Sequence, residues 1–239
     1  MPTLDVVLLC FFVRSCIAED STTQDPRRHP ALIWSDGKGK IGEGIKLQAH
    51  VFYDTRKYNR LSRGNVTEYF TKLFSLTQQH FNNNSVMITI DTRNITWNKT
   101  LEVKMKGKRR TLDGKATLKS LQNYSLVQNL PNNSIIYIYT NKTLDLKDYT
   151  GAAVPNGFST LSTFGTFCNE LGSAAIIVQP PGNAGYWSTV KATAEVFGSK
   201  NFVRFTKKDM QEMDKIFSRC HVHKSEESEE SDEYEELPE

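Results

Sequence analysis

The chain has 239 residues, 38% of them hydrophobic and 24% charged, which suits one domain with appendages and a substantial buried core. Its net charge of +3 hides an asymmetry: residues 225–239 hold nine acids and no base, whereas residues 19–224 hold 29 bases against 17 acids. A basic body with an acidic tail is a feature of the chain whatever its fold.

Residues 1–18 read as a secretory signal, with an apolar run from Val6 to Val13 and small residues suited to cleavage after Ala18. Asp5 stands where positive charge is usual, yet the run is far too short to span a bilayer. Cys10 and Cys16 leave with the signal, so the mature chain keeps Cys168 and Cys220. In an oxidising compartment these form one internal bridge or, less simply, an intermolecular one. An internal closure contributes roughly 4 kcal/mol in the loop-entropy description. Seven N-x-S/T sequons, at Asn65, Asn83, Asn94, Asn98, Asn123, Asn132 and Asn141, point to a secreted glycoprotein. None follows Asn141, so the C-terminal half is expected to be free of glycans.

Residues 19–40 are polar and broken by Pro26, Pro30 and glycines, an irregular leader. The first strand signal is Ile45 to Tyr53, with Ile45, Leu47, Val51 and Tyr53 on one side. Asn65 to Phe81 reads as a helix: Val66, Tyr69, Phe70, Leu73, Phe74, Thr77 and Phe81 fall at i, i+3 and i+4, with Asn65 as cap and Glu68 three residues on. A strand runs from Val86 to Ile90 and onward to Trp97; a helix follows over Gly114–Leu126 through Ala116, Leu118, Leu121 and Leu126. Ser134–Thr140 is a strand of β-branched and aromatic residues, and Ala174–Val178 a second buried one ended by Pro180 and Pro181. Residues 187–198 and 207–218 complete the pattern as helices, and alternating strands and helices predict an α/β layered domain over 41–220.

The stretch 185–202, G-Y-W-S-T-V-K-A-T-A-E-V-F-G-S-K-N-F, together with G-A-A-V-P-N-G-F-S-T-L-S-T-F-G-T-F-C (151–168) and A-A-I-I-V-Q-P, resembles the zinc-helix half of secreted reprolysin-type (adamalysin, metzincin) metalloproteases of arthropod saliva and venom. The order of elements is similar to that family's layout. The resemblance implies a metzincin-like mixed sheet with packed helices, a truncated C-terminal subdomain, and a bridge from Cys168 before the zinc helix to Cys220. Active members carry H-E-x-x-H-x-x-G-x-x-H, whose histidines hold zinc with one position open for water.

Here the histidines are missing. In one register Glu195, Val196 and Ser199 stand in the H, E and H positions and Phe205 in the third-ligand position; in the other Ala194, Glu195 and Gly198 do, with Arg204 third. The expected cofactor set is therefore empty, although active relatives use zinc, because a glutamate alone cannot lower the pKa of water to about 7. Only Asn201 to Thr206 separate this helix from the next, so the floor of a zinc site is absent too, and Met210 and Met213 read as core residues. His29, His50, His80, His221 and His223 read as ordinary histidines, and the H-x-H of His221 and His223 is a weak metal signal. Ser159 and Ser162 form no G-x-S-x-G elbow, and no phosphate loop is present. A short leader leaves no room for the inhibitory pro-segment of family zymogens.

Three features suit binding. Lys104, Lys106, Lys108, Arg109 and Arg110 form a cluster for heparin-like polyanions, and without interleaved aromatics in a secreted chain nucleic acid is excluded. The acidic tail (221–239) presents Tyr234 among glutamates as a sulfation candidate, and Ser225, Ser228 and Ser231 as phosphoacceptor candidates. The glycan-free half retains a cleft whose edge strand accepts an extended chain. The sequence thus reads as a secreted, monomeric pseudoprotease without a membrane span, binding a host extracellular protein or glycosaminoglycan. The alternatives are an active zinc endopeptidase with an unrecognised site, and a polyanion-binding module.

Overall fold

The computed structural model describes residues 39–61, 65–145 and 160–220; the expected signal, the tail 221–239 and nearly all of the leader lie outside them. The elements in chain order are β1 (Ile41–Tyr53), α1 (Lys57–Leu61), α2 (Val66–Asn83), β2 (Val86–Trp97), β3 (Thr111–Asp113) and α3 (Gly114–Val127). They continue with β4 (Ser134–Thr140), β5 (Thr143–Asp145), β6 (Thr160–Ser162), β7 (Ser173–Val178), α4 (Trp187–Val196) and α5 (Lys207–Phe217). A five-stranded sheet is ordered β2-β1-β4-β7-β6; its first four members are parallel and β6 runs antiparallel to β7 at the edge. This is the mixed α/β class expected from the sequence. β3 and β5 form a separate parallel pair; like β6, they are three residues long, too short for periodicity to reveal.

Strand β4 shows why its sequence lacks polar alternation. All seven of its residues are buried, as a parallel strand covered on both faces requires. Ile136 and Ile138 join Leu118 and Leu121 of α3 in the core on one side, with Phe52, Leu101, Leu161, Ala174 and Ile176. Tyr137 and Tyr139 face the other way and meet Phe74 and Phe70 of α2, at ring-centroid distances of 4.9 and 4.8 Å. Each such fully buried side chain contributes about 1.5–3 kcal/mol over leaving it in water.

Helix α2 is capped as its sequence predicts: the Asn65 side chain accepts from the Glu68 N–H at 2.9 Å. Phe70, Leu73, Phe74, Thr77 and Phe81 are buried, while Val66 and Tyr69 sit at the margin of the face. Helix α3 departs from expectation at one residue. Leu126 is 52% exposed, and Ser125 is turned inward in its place. Leu126 lies five residues past Leu121, about 140° round the helix, whereas Ser125 is only about 40° off that line. Helix α5 starts at a capping box in which Thr206 and Asp209 serve each other's backbone N–H, and it buries Met210 and Met213 as expected. Among the described residues no helix is long and apolar enough to cross a membrane.

Candidate functional site

Helix α4 is organised by two i, i+4 pairs on opposite sides, about 200° apart. Thr189 and Thr193 face the tyrosines of β4: Tyr139 Oη lies 2.8 Å from Thr189 Oγ1 and Tyr137 Oη 2.8 Å from Thr193 Oγ1. Thr193 Oγ1 donates to the Thr189 carbonyl at 2.8 Å, so the Tyr137 hydroxyl is the donor to Thr193. Burial raises the pKa of both phenols above 10, and neither ionises near neutrality.

Lys191 and Glu195 face the edge strand β6. Lys191 Nζ donates to Glu195 Oε1 at 2.7 Å and to Thr160 Oγ1 at 2.8 Å. Ser162 Oγ donates to Glu195 Oε2 at 2.5 Å. Thr160 and Ser162 are alternate residues of a strand and so share one face. The result is a closed polar set, with Lys191 and Glu195 side chains only 24% and 26% exposed, that ties the edge strand to α4.

The end of α4 decides which residues share that face. The Gly198 N–H bonds to the Glu195 carbonyl at 2.9 Å and the Ser199 N–H to that of Ala194 at 2.8 Å, the Schellman pattern of a helix C-terminus. Gly198 has φ +84°, a left-handed conformation that favours glycine, and a Cβ there would lie 2.5 Å from Ile216 Cδ1, which would have to shift. This helix end, at Val196, bears on both registers set out from the sequence. Each needs two ligands one turn apart on a helix, and each puts the second past the helix end, at Ser199 or Gly198. Ala194 and Val196 are fully buried. Phe205 stacks on Phe81 at 5.4 Å, and Arg204 is exposed to solvent.

Beyond the turn, Asn201 Nδ2 donates to Asp209 Oδ2 at 2.8 Å, and Thr206 adds its N–H at 2.9 Å and its hydroxyl at 2.5 Å. Burial pushes the Asp209 carboxyl up, but these hydrogen bonds outweigh it and hold it below the ordinary 3.8. Phe197 packs among Phe81, Phe167 and Phe217 with centroids 4.8–5.5 Å away. The space under the helix end is apolar.

These residues do not fit zinc, which takes thiolate, neutral imidazole or carboxylate donors. The α4 pair offers an ammonium and a carboxylate already bonded to it. His80 Nε2 lies 2.7 Å from the Phe202 carbonyl, and buried His50 pairs with Asn94 at 3.1 Å. Burial, with the nearby Arg93 charge, lowers the His50 pKa below 6.5. Among the described residues no three His, Cys, Asp or Glu side chains are grouped to hold a metal.

A second buried cluster carries no local signal in the sequence. Asp54 follows β1 directly, Thr140 ends β4 and Lys142 lies two residues past it, on either side of the point where the strand order reverses. Thr140 Oγ1 and Lys142 Nζ donate to Asp54 Oδ2 at 2.6 and 2.7 Å, and Lys142 also bonds Glu102. Asp54 and Glu102 side chains are 1% and 2% exposed, and Asp54 Oδ1 has no hydrogen-bond partner among the described residues. Burial pulls the Lys142 ammonium down, but the hydrogen bonds and charges of both carboxylates outweigh it and hold its pKa above 10.5.

Other expected site residues are dispersed. Cys168 and Cys220 are joined in a disulfide with Cα atoms 5.1 Å apart. Asn65, Asn83, Asn123 and Asn141 are exposed at α2, α3 and the end of β4; Asn94 lies in β2, with Asn98 just after it and Asn132 before β4. No sequon falls on β6, β7, α4 or α5. Lys104, Lys106, Lys108, Arg109 and Arg110 are all exposed on one turn. His29, Ser159, His221, His223, Tyr234, Ser225, Ser228 and Ser231 lie outside the described residues.

No family model matches the chain, and neither does the sequence of any curated protein. Among solved structures it is similar to metalloproteinase-II from Bacteroides fragilis, with 10% identity and a TM-score of 0.47 over 74% of this chain and 54% of that one. It is also similar to a chaperone–substrate complex, with 10% identity and a TM-score of 0.48 over 74% of this chain and 35% of that one. The chain thus spans well under two thirds of either protein, and neither likeness extends to an activity.

Proposed function

We propose that the chain is an extracellular, glycosylated protein of reprolysin-like design that binds polypeptide rather than cleaving it. The carrying observation is the Lys191–Glu195 pair. In H-E-x-x-H-x-x-G-x-x-H the glycine stands three residues after the second histidine, where a C′ glycine ends a helix. Matching that glycine to Gly198 puts Lys191, Ala192 and Glu195 in the H, E and H positions and Asn201 in the third H position. The Lys191 ammonium then supplies positive charge where a metal would, with no open position for a water nucleophile. Ala192 cannot act as a base, and Glu195 is held by Ser162 and Lys191.

Secretion is supported by the signal-like N-terminus, the seven sequons and the Cys168–Cys220 bridge. Binding at the sequon-free side is supported by β6, the edge strand of the sheet among the described residues, where an extended chain adds by backbone hydrogen bonds. Phe164, just beyond β6, and Trp187, at the start of α4, are exposed by 51% and 43%. The test uses the secreted full chain: metal content by mass spectrometry, and binding and cleavage of reduced, carboxymethylated casein. The expected result is substoichiometric zinc and casein bound but intact. Binding should fall for Phe164→Asn, which creates an N-G-T sequon beside β6. Stoichiometric zinc with chelator-sensitive cleavage would overturn the reading in favour of an active endopeptidase.

A further inference from the structure

The turn after β2 gathers five cations into seven residues, K-M-K-G-K-R-R (104–110). The sequence marks them as a candidate cluster for polyanions, and the fold fixes their backbone. Asp113 N–H bonds the Val103 carbonyl and Met105 N–H the Thr111 carbonyl, both at 2.9 Å, and Lys104 bridges antiparallel to Leu112. Two successive turns close the tip: Lys108 N–H to the Met105 carbonyl at 3.1 Å, and Thr111 N–H to the Lys108 carbonyl at 3.3 Å. Gly107 occupies the third position of the first turn with φ +78°, as a type II turn demands. Thr143 N–H anchors the Arg110 carbonyl to β5 at 3.0 Å.

Two of the acids around this hairpin are used elsewhere, and a third pairs with one of its lysines. Glu102, at its base, is turned inward to Lys142, and Asp113 caps α3 by accepting from the Ala116 N–H at 2.9 Å. Asp145 approaches from β5, 3.8 Å from Lys108, whose side chain stays 55% exposed. The negative charge is drawn into the fold while Lys104, Lys106, Lys108, Arg109 and Arg110 face solvent. Among the described residues nothing lies within 4 Å of where a Cβ at Gly107 would stand, at the tip.

We propose that this hairpin is a docking site for a sulfated polysaccharide. Two adjacent guanidiniums grip sulfate oxygens through paired N–H donors, and the lysines add point charges along the chain of sulfates. Residues 104–110 contain no aromatic ring on which a base could stack, which disfavours single-stranded nucleic acid. The choice also draws on the extracellular reading above, but the site is separate from α4 and its test does not depend on catalysis. Binding is driven by counterion release, so it weakens steeply with salt.

The test measures affinity of the full chain for a size-defined heparin oligosaccharide at several salt concentrations, by fluorescence anisotropy. The variant Lys106→Gln, Lys108→Gln, Arg109→Gln, Arg110→Gln is expected to bind about tenfold or more weakly, with a shallower salt slope. A control neutralises four exposed lysines elsewhere: Lys40→Gln, Lys72→Gln, Lys208→Gln, Lys215→Gln. It should stay within about threefold of the parent, because charges beyond a Debye length of about 8–10 Å act weakly. Equal losses in both variants, with unchanged circular dichroism, would show net charge alone at work and overturn the proposal. So would a desulfated oligosaccharide binding as well as the sulfated one, or single-stranded DNA of equal charge binding more tightly.

Discussion

Replacing Lys142 with methionine keeps its aliphatic stem and removes its charge. Asp54 and Glu102 then remain at 1% and 2% side-chain exposure, and both lose their shared ammonium. Breaking a buried pair from one side costs about 3–5 kcal/mol, because the orphaned charge stays desolvated. Thr140 still donates to Asp54 at 2.6 Å, which places the loss nearer about 3 than about 5 kcal/mol. For a domain of this size that is a Tm drop of about 6–12 °C. The pH dependence separates this account from a simple packing defect. In the parent, Lys142 is held above 10.5, so its contribution is complete below that pH and declines as pH rises through the raised value. Urea unfolding of both proteins at pH 7, 9 and 11, followed by circular dichroism, measures the stability gap between variant and parent. A loss under about 1 kcal/mol at pH 7, or a gap that does not narrow between pH 9 and 11, would refute the reasoning.

Two further perturbations probe α4. The quadruple change Lys191→His, Ala192→Glu, Glu195→His, Asn201→His should give a chain that retains zinc through dialysis, whereas Ala194→His with Gly198→His should not; a folded quadruple variant without zinc would rule out the register. Gly198→Ala should lower stability by at least about 2 kcal/mol, since it joins a positive φ to a contact with Ile216; chemical denaturation showing a change under about 0.5 kcal/mol would mean that the turn relaxes freely.

Much of the scaffold was legible because its signals are local. The α2 face, its Asn65 cap and the unbroken apolar run of β4 each follow from burial on one stripe or on two faces. The site was less legible. On sequence alone the motif puts Glu195 in the place of a general base or a first ligand, because V-K-A-T-A-E-V-F-G-S carries only one weak mark of where the helix stops. The fold settles it: the Gly198 and Ser199 N–H groups turn back to the Glu195 and Ala194 carbonyls and Gly198 takes a positive φ, so Gly198 is the C′ residue. Gly198 followed by a polar residue was the available signal, since helix-ending glycines are common.

By itself, the sequence determined the order of the long elements, the α/β class and the confinement of sequons to the first 141 residues. Each is written in composition or in periodicity over a few turns. Only the tertiary structure decided that Lys191 and Glu195 close on Thr160 and Ser162, and that Lys142 gathers Asp54 and Glu102 from 88 and 40 residues away. Such pairs have no spacing rule. They exist because a parallel sheet brings the ends of distant strands together, where buried charges must find partners or not be buried at all.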